Sequence, residues 1–183
     1  MISNIYKSIL NSVSSVSENH SVLSIKDCLK YIKDLNSSYE DESTSYLGFP
    51  KIDINNNWRI ALRYNIEIDK KLAQVLIKIL NRLNIKELIV ENNKLSDESI
   101  KNLVKILQET KVDDFSVENS KIDPDEIKLL TDDFQKTNVT TFSLRWNSIG
   151  TEGAKILGKN LKDTKVIKLD LLGCSLKMKR LAA

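Results

Sequence analysis

Residue types that carry chemistry are scarce in this chain of 183 residues. His20 is the only histidine, so a Ser–His–Asp arrangement has no second candidate base, and its place beside Ser21 in a predicted turn favours a surface role. The five glycines form no phosphate-binding loop, and Cys28 and Cys174 lie outside any metal-type spacing. We therefore expect no catalytic centre, no metal and no cofactor.

Long apolar runs and closely spaced cysteines are missing as well. No apolar run approaches the roughly 20 residues that a membrane helix requires, and polar residues interrupt the apolar positions at the N-terminus, so neither a membrane span nor a signal peptide is expected. Two distant cysteines indicate no disulfide framework, which fits a reducing compartment. The net charge of +3 arises from interspersed acids and bases and does not favour nucleic-acid or membrane binding. These absences predict a cytoplasmic protein.

Apolar residues recur at a nearly constant spacing in the second part of the sequence. The first residues of this pattern, here called anchors, lie 28 residues apart once and 27 apart thereafter: Ile60, Leu88, Phe115, Phe142 and Leu169. Two residues after each anchor the chain is again apolar, at Leu62, Val90, Val117, Leu144 and Leu171. Seven after, it is apolar except at the first: Glu67, Leu95, Ile122, Ile149 and Leu176. A repeated unit thus organises this part of the chain.

The spacing changes within each unit and so predicts its secondary structure. The anchor and the residue two later alternate with polar residues, which is typical of a half-buried strand. Residues twelve, fifteen and nineteen after the anchor follow one stripe of a helix. Helix starts are predicted at Ser96-Asp97-Glu98, Asp123-Pro124 and Thr151-Glu152. Since one strand and one helix cannot bury their apolar faces alone, neighbouring units must stack, with their strands parallel.

The residue five after the anchor ends each predicted strand. A buried carboxamide can both donate and accept hydrogen bonds, so we predict that Asn65, Asn93 and Asn147 bridge adjacent units where the sheet stops. Ser120 and Cys174 occupy the same position and are expected to be weaker substitutes.

Residues 88–95 (LIVENNKL) and 142–150 (FSLRWNSIG) resemble the leucine-rich-repeat consensus of ribonuclease-inhibitor-like proteins. The resemblance covers about residues 58–176, with Glu67, Ser120 and two phenylalanine anchors as departures. It implies an α/β fold: a right-handed solenoid with parallel strands on the concave side, helices on the convex side and an N-terminal helical cap. It also implies a non-catalytic module that binds a partner protein.

Two regions flank the predicted helices and strands. Residues 1–57 are predicted to form a cap of two helices within residues 1–36, an acidic loop at 37–48 and a degenerate first strand with Ile52 and Ile54; a separate docking helix pair is the alternative. Residues 58–183 then hold four to five repeats. The last strand has an unpaired edge. Three explanations of this edge remain open: the chain ends in a short natural cap, the repeats belong to a longer array that has been truncated, or another chain, which can be a second copy, covers the edge.

The outward-facing strand residues form the predicted binding strip, because they alternate with the buried ones. They lie one, three and four after the anchors: Ala61, Arg63, Tyr64, Ile89, Glu91, Asn92, Ser116, Glu118, Asn119, Ser143, Arg145, Trp146, Asp170, Leu172 and Gly173. Trp146, Tyr64 and Arg145 are of the types enriched at interface hot spots. For Trp146, shielding of a neighbouring loop is an equal alternative.

Four hypotheses about function remain open. The first is a protein-binding scaffold. The second is the recognition part of a larger regulator or enzyme, either similar to Ran GTPase-activating proteins or of a ligase type, although no arginine matches a GTPase-activating motif. The third is an actin-capping module similar to the tropomodulin repeat domain. The fourth is a bacterial effector secreted into a host cell to act on a host protein, since the Ile, Lys and Asn bias suggests an AT-rich genome.

Overall fold

The computed structural model describes residues 25–38, 51–54 and 59–175. These residues form five α-helices: α1 (Ile25–Ser38), α2 (Lys70–Arg82), α3 (Asp97–Glu109), α4 (Pro124–Thr131) and α5 (Gly150–Asn160), with a short 3-10 helix at Phe134–Lys136. They also form six strands: β1 (Lys51–Ile54), β2 (Arg59–Arg63), β3 (Glu87–Glu91), β4 (Asp114–Glu118), β5 (Thr141–Ser143) and β6 (Lys168–Asp170). From β2 onward strands and helices alternate, as predicted.

The strands form one sheet whose order follows the chain, from β1 to β6. Strands β2 to β6 are parallel, and each anchor lies directly opposite the next: Leu88 opposite Ile60 and Phe115, and Phe142 opposite Phe115 and Leu169. The 27- to 28-residue period is therefore the strand register. A five-stranded parallel sheet with helices between its strands confirms the predicted α/β class.

The anchors and the helix stripes share one hydrophobic core. The first four anchors are fully buried, and two of them, Phe115 and Phe142, stack with ring centroids 5.6 Å apart and planes 4° apart. Phe134 of the 3-10 helix lies 4.9 Å from the ring of Phe142 and fills the same layer. The last anchor, Leu169, is 40% exposed because it belongs to the outermost strand of the sheet.

Two of the three predicted helix starts are confirmed. The Ser96 hydroxyl accepts a hydrogen bond from the N–H of Ser99, and Asp123 forms a capping box with Glu126 while Pro124 is the first helical residue. The third helix begins at Gly150, one residue before the predicted Thr151, and no side chain caps it. A glycine with φ of 59° turns the chain there instead.

The N-terminal side differs from the prediction in detail. Helix α1 confirms the second predicted helix and runs two residues into the predicted acidic loop; its buried residues Cys28, Leu29 and Ile32 join the core. Strand β1 is present as predicted but pairs antiparallel with β2, so it is not a further parallel unit. The first predicted helix, His20 and the remainder of the acidic loop lie outside the described residues. Neither Cys28 nor Cys174 forms a disulfide.

Candidate functional site

One face of the sheet is turned away from the helices. In β3 and β4 the buried residues alternate with half-exposed ones, and the half-exposed side chains project from the opposite face. We call this surface the open face; its residues are Arg59, Ala61, Arg63, Glu87, Ile89, Glu91, Asp114, Ser116, Glu118, Thr141, Ser143, Arg145, Lys168, Asp170 and Leu172. The strip residues one and three after each anchor are thus brought together on one side, although Ala61 and Ser143 are small enough to be buried between their neighbours; those four after each anchor lie at the end of the sheet.

Ion pairs link adjacent strands at both ends of the open face. The Arg63 Nε lies 2.8 Å from a carboxylate oxygen of Glu91, and an Arg145 guanidinium nitrogen lies 2.6 Å from a carboxylate oxygen of Asp170. The hydrogen bond from Arg145 lowers the pKa of Asp170, so this carboxylate is charged at neutral pH. Because these pairs face solvent, they add little stability, and their main effect is to hold long side chains in fixed positions.

The centre of the open face is acidic. Burial, and then repulsion by Glu87, raise the pKa of Asp114. The neighbouring Glu118 accepts a hydrogen bond of 2.8 Å from the Ser143 hydroxyl. Within residues 59–175, no Lys or Arg side chain forms an ion pair with Asp114 or Glu118. Lys168 acts electrostatically on Asp114, and Arg145 on Glu118, but neither cation forms an ion pair with these carboxylates, so the middle of the strip is acidic and only partly compensated.

Glu87 and Asp114 were not among the predicted site residues. Both stand one residue before an anchor, and a period-two alternation places that position on the same face as the residue after the anchor. The alternation in the sequence therefore contains the signal that would have found both residues.

The residue four after each anchor forms a row along the end of the sheet, here called the turn row. Its members share a left-handed backbone: Tyr64 (φ 63°), Asn92 (56°), Asn119 (44°), Trp146 (59°) and Gly173 (74°). The N–H of each of the first four reaches a carbonyl of the next unit at 3.0–3.2 Å, which fixes this conformation. Asparagine and glycine adopt it readily, whereas tyrosine and tryptophan rarely do.

Trp146 shields a neighbouring turn and is also largely exposed, while its predicted role in binding stays a prediction. Its indole ring lies against the turn of the next unit, where a β-carbon added to Gly173 would collide with the ring. The side chain is nevertheless 60% exposed. The large hydrophobic residues that are exposed within the described part of the chain are Trp146, Ile167, Leu169 and Leu172, and all of them belong to the last two units.

The predicted asparagine bridges are confirmed at two positions. The Asn93 Oδ1 accepts from the N–H of Ile66 at 2.8 Å while its Nδ2 donates to the Leu62 carbonyl at 2.9 Å, and Asn147 makes equivalent bonds to the unit before it. Asn65 also bridges adjacent units, but as an exposed side chain whose Oδ1 accepts one hydrogen bond, from the N–H of Lys94 at 3.0 Å; the predicted buried, two-sided bridge is not formed there. Each buried bridge reaches back to the preceding unit, and what precedes Asn65 is the antiparallel β1.

The substitutes at this position bond less extensively. The Ser120 hydroxyl donates to the Glu118 carbonyl and accepts from the N–H of Asn93 at 3.3 Å. The Cys174 thiol donates to the Leu144 carbonyl at 3.0 Å, and burial raises its pKa, so it remains a thiol at neutral pH.

Among the residues that the structure describes, no group of three His, Cys, Asp or Glu side chains is placed to hold a metal ion. Within the same residues, none of the helices is long and apolar enough to cross a bilayer. Comparison with known protein families and with curated protein sequences yields no match to this chain. The open face must therefore be interpreted from its own side chains.

Proposed function

We propose that this protein is a leucine-rich-repeat protein of the ribonuclease-inhibitor-like subclass, and that it binds a partner protein through the open face without catalysing a reaction. The in-register strands and the buried Asn93 and Asn147 support the family proposal. Helices are roughly 10 Å wide and strands are spaced about 4.8 Å apart. A stack of such units therefore curves as a right-handed solenoid with the open face on its concave side.

The observation that carries the binding proposal is the position of Trp146. Its side chain is 60% exposed on a backbone with φ of 59°, a conformation that costs an ordinary residue about 1–2 kcal/mol. Asparagine fills the equivalent position in two other units without this cost. Strained residues that expose a large apolar surface are characteristic of binding sites, because the side chain is retained for its contacts.

The charges of the open face indicate the chemistry of the partner. The acidic centre around Asp114 and Glu118 favours a segment with lysine or arginine, and Trp146 and Leu172 at one end favour an apolar side chain beside it. A basic segment with an apolar or aromatic residue at one end would satisfy both. Charge pairing would then set the orientation of the partner and its rate of association.

The proposal is tested with the double variant Trp146→Ala, Arg145→Ala against a partner isolated by affinity capture with the unmodified chain. Loss of a hot-spot tryptophan costs about 2 kcal/mol or more, so we expect binding at least about 30-fold weaker by calorimetry. Lys101→Ala, which removes an exposed cation from α3, is the matched control and should leave affinity unchanged. Equal affinities for the double variant and the control would refute the proposal.

The charge argument has its own test. The double variant Asp114→Asn, Glu118→Gln removes the acidic centre without changing side-chain size. We expect it to bind more weakly than the unmodified chain at low salt and to show a flatter dependence of affinity on salt concentration. A salt dependence that is the same for both proteins would exclude the acidic centre from the contact.

A further inference from the structure

Within the part of the chain that the structure describes, the backbone groups at the outer edge of β6 have no partner strand. The carbonyls of Asp170 and Leu172 accept hydrogen bonds from the N–H groups of Leu144 and Trp146, so the backbone groups of Asp170 and Leu172 point towards β5 and its following turn. Because backbone groups alternate in direction along a strand, those of Leu169 point to the free edge, and the same alternation continued past the end of β6 directs the N–H of Leu171 there. The corresponding groups of the interior strands are paired with the next strand in the sheet.

The side chains at this edge are also incompletely buried. Ile167 is 89% exposed and Leu169 is 40% exposed, whereas the anchors equivalent to Leu169, Phe115 and Phe142, are fully buried. Leu161 and Val166, which lie between α5 and β6, are only partly buried against the core. An apolar surface continuous with the core therefore ends at β6.

We propose that a second copy of this chain covers the edge, with β6 of each copy pairing antiparallel around a two-fold axis at Leu169. The residues Ile167, Lys168, Leu169, Asp170 and Leu171 alternate apolar, positive, apolar, negative and apolar. Reversal about Leu169 places Lys168 of one copy opposite Asp170 of the other, so that Lys168 would join the ion pair that Asp170 already forms with Arg145 of its own copy. It also places Ile167 opposite Leu171. Parallel pairing in register would instead place Lys168 against Lys168 and Asp170 against Asp170, which is unfavourable.

The hydrogen bonds at the edge fit the same register. The N–H of Ile167 already donates to the Thr140 carbonyl, and the Leu171 carbonyl already accepts from Cys174. The groups left are the N–H and carbonyl of Leu169, the N–H of Leu171 and the carbonyl of Ile167. In the proposed pair the two Leu169 residues bond reciprocally, and the N–H of Leu171 donates to the Ile167 carbonyl of the other copy.

This arrangement keeps the open face accessible. The two-fold axis stands perpendicular to the sheet, so Lys168 and Asp170 remain on the open face and the open faces of both copies lie on the same side. Dimer formation is therefore independent of the proposed function, and either can fail without the other.

Sedimentation equilibrium of the full chain tests the dimer. We expect a concentration-dependent rise towards twice the chain mass of 20.9 kDa. Lys168→Asp sets two carboxylates opposite each other at both symmetry-related pairs and should weaken the dimer roughly tenfold; Lys168→Arg should not. A monomer at every concentration, as would follow if another part of the chain covers β6, overturns the proposal. So does a dimer that is equally stable in Lys168→Asp.

Disulfide trapping tests the register. Lys168→Cys and Asp170→Cys are prepared as separate proteins, each with Cys174→Ser, so that the remaining native thiol is the buried Cys28. Directly opposite, non-hydrogen-bonded positions on antiparallel strands are close enough for a disulfide, whereas the diagonal pairs are not. Mild oxidation should cross-link the mixture of the two variants and neither variant alone. Cross-linking that mixing does not increase contradicts the antiparallel register.

Discussion

Replacing Asn147 by alanine should cost more stability than most single substitutions in this chain. The Asn147 Oδ1 accepts hydrogen bonds from the N–H groups of Ser120 and Ile122 at 3.0 and 3.1 Å, and its Nδ2 donates to the Val117 and Leu144 carbonyls at 2.7 and 2.9 Å. The residue is 2% exposed, so water cannot take over these bonds without opening the turn. Asn147→Ala removes all of them together.

The magnitude follows from the groups that lose their partners. Two buried N–H groups left unpaired cost about 1–3 kcal/mol each. The expected loss is therefore about 2–6 kcal/mol, before the carbonyls are considered. A domain of this size is stable by about 5–15 kcal/mol, so Asn147→Ala should remain folded but with much of its stability lost.

Equilibrium unfolding in urea, followed by circular dichroism, measures this loss. The midpoint should fall at constant slope, because the substitution does not change the surface exposed on unfolding. Asn93→Ala is expected to behave alike, since Asn93 bridges the unit before it in the same way. The control is Asn65→Gly, which removes one exposed bond to the N–H of Lys94 and suits the local φ of 60°, so we expect a change within about 1 kcal/mol. Similar losses at Asn65 and Asn147 would refute the reasoning.

Three further predictions rest on single positions. Gly173 has a φ of 74°, and a β-carbon added there would collide with the Trp146 ring, so Gly173→Ala should lower the free energy of unfolding by at least about 1–2 kcal/mol and shift tryptophan fluorescence. The control, Gly158→Ala inside α5, should raise the free energy of unfolding by about 0.5–1 kcal/mol. An unchanged emission spectrum in Gly173→Ala would count against the contact. The pKa of Asp114 is raised in the folded protein above its ordinary value of 3.8, so the free energy of unfolding falls as the pH rises from 3.8 through the pKa of the folded state. Asp114→Asn should therefore be more stable than the unmodified chain at neutral pH and about equally stable below pH 3.8. The measurement is urea unfolding at both pH values, and a variant that is less stable than the unmodified chain at neutral pH would contradict the reasoning. Asp123→Ala removes a capping box and should lower the free energy of unfolding by about 0.5–2 kcal/mol. Calorimetry measures this change, and an unaltered melting temperature would contradict the prediction.

The stacking of the parallel strands could be predicted from the sequence, because burial repeats at every unit. A buried position such as Leu88 must be apolar in each unit, and the constant distance to Phe115 directly gives the register. The bridges at Asn93 and Asn147 were predictable for the same reason, since a turn that recurs in each unit poses the same hydrogen-bonding problem each time.

Features at the edges of the pattern could not be read in this way. The alternation of apolar and polar residues in a short strand does not encode the direction of the strand, so the antiparallel pairing of β1 could not be predicted. Because β1 provides no preceding parallel unit for Asn65 to bridge, the exposure of Asn65 could not be predicted either. The charge distribution was equally hidden. Arg145 could have paired with Glu118 on one side or Asp170 on the other, and only the geometry shows that it pairs with Asp170 and leaves the centre of the open face acidic.

The strict neighbour-to-neighbour order of the sheet bears on how such a chain can change in length. Every strand pairs only with those next to it in sequence, and the parallel pairs from β3 onward share the same 27-residue offset. Gain or loss of one whole segment of that length would leave the remaining pairings as they are, and β2 and β3, which pair across 28 residues, show that one extra residue outside the strands is accommodated. An insertion within a strand would instead displace it from its partner. Evolution by duplication of complete segments is thus open to this architecture, and recombination at arbitrary points is not.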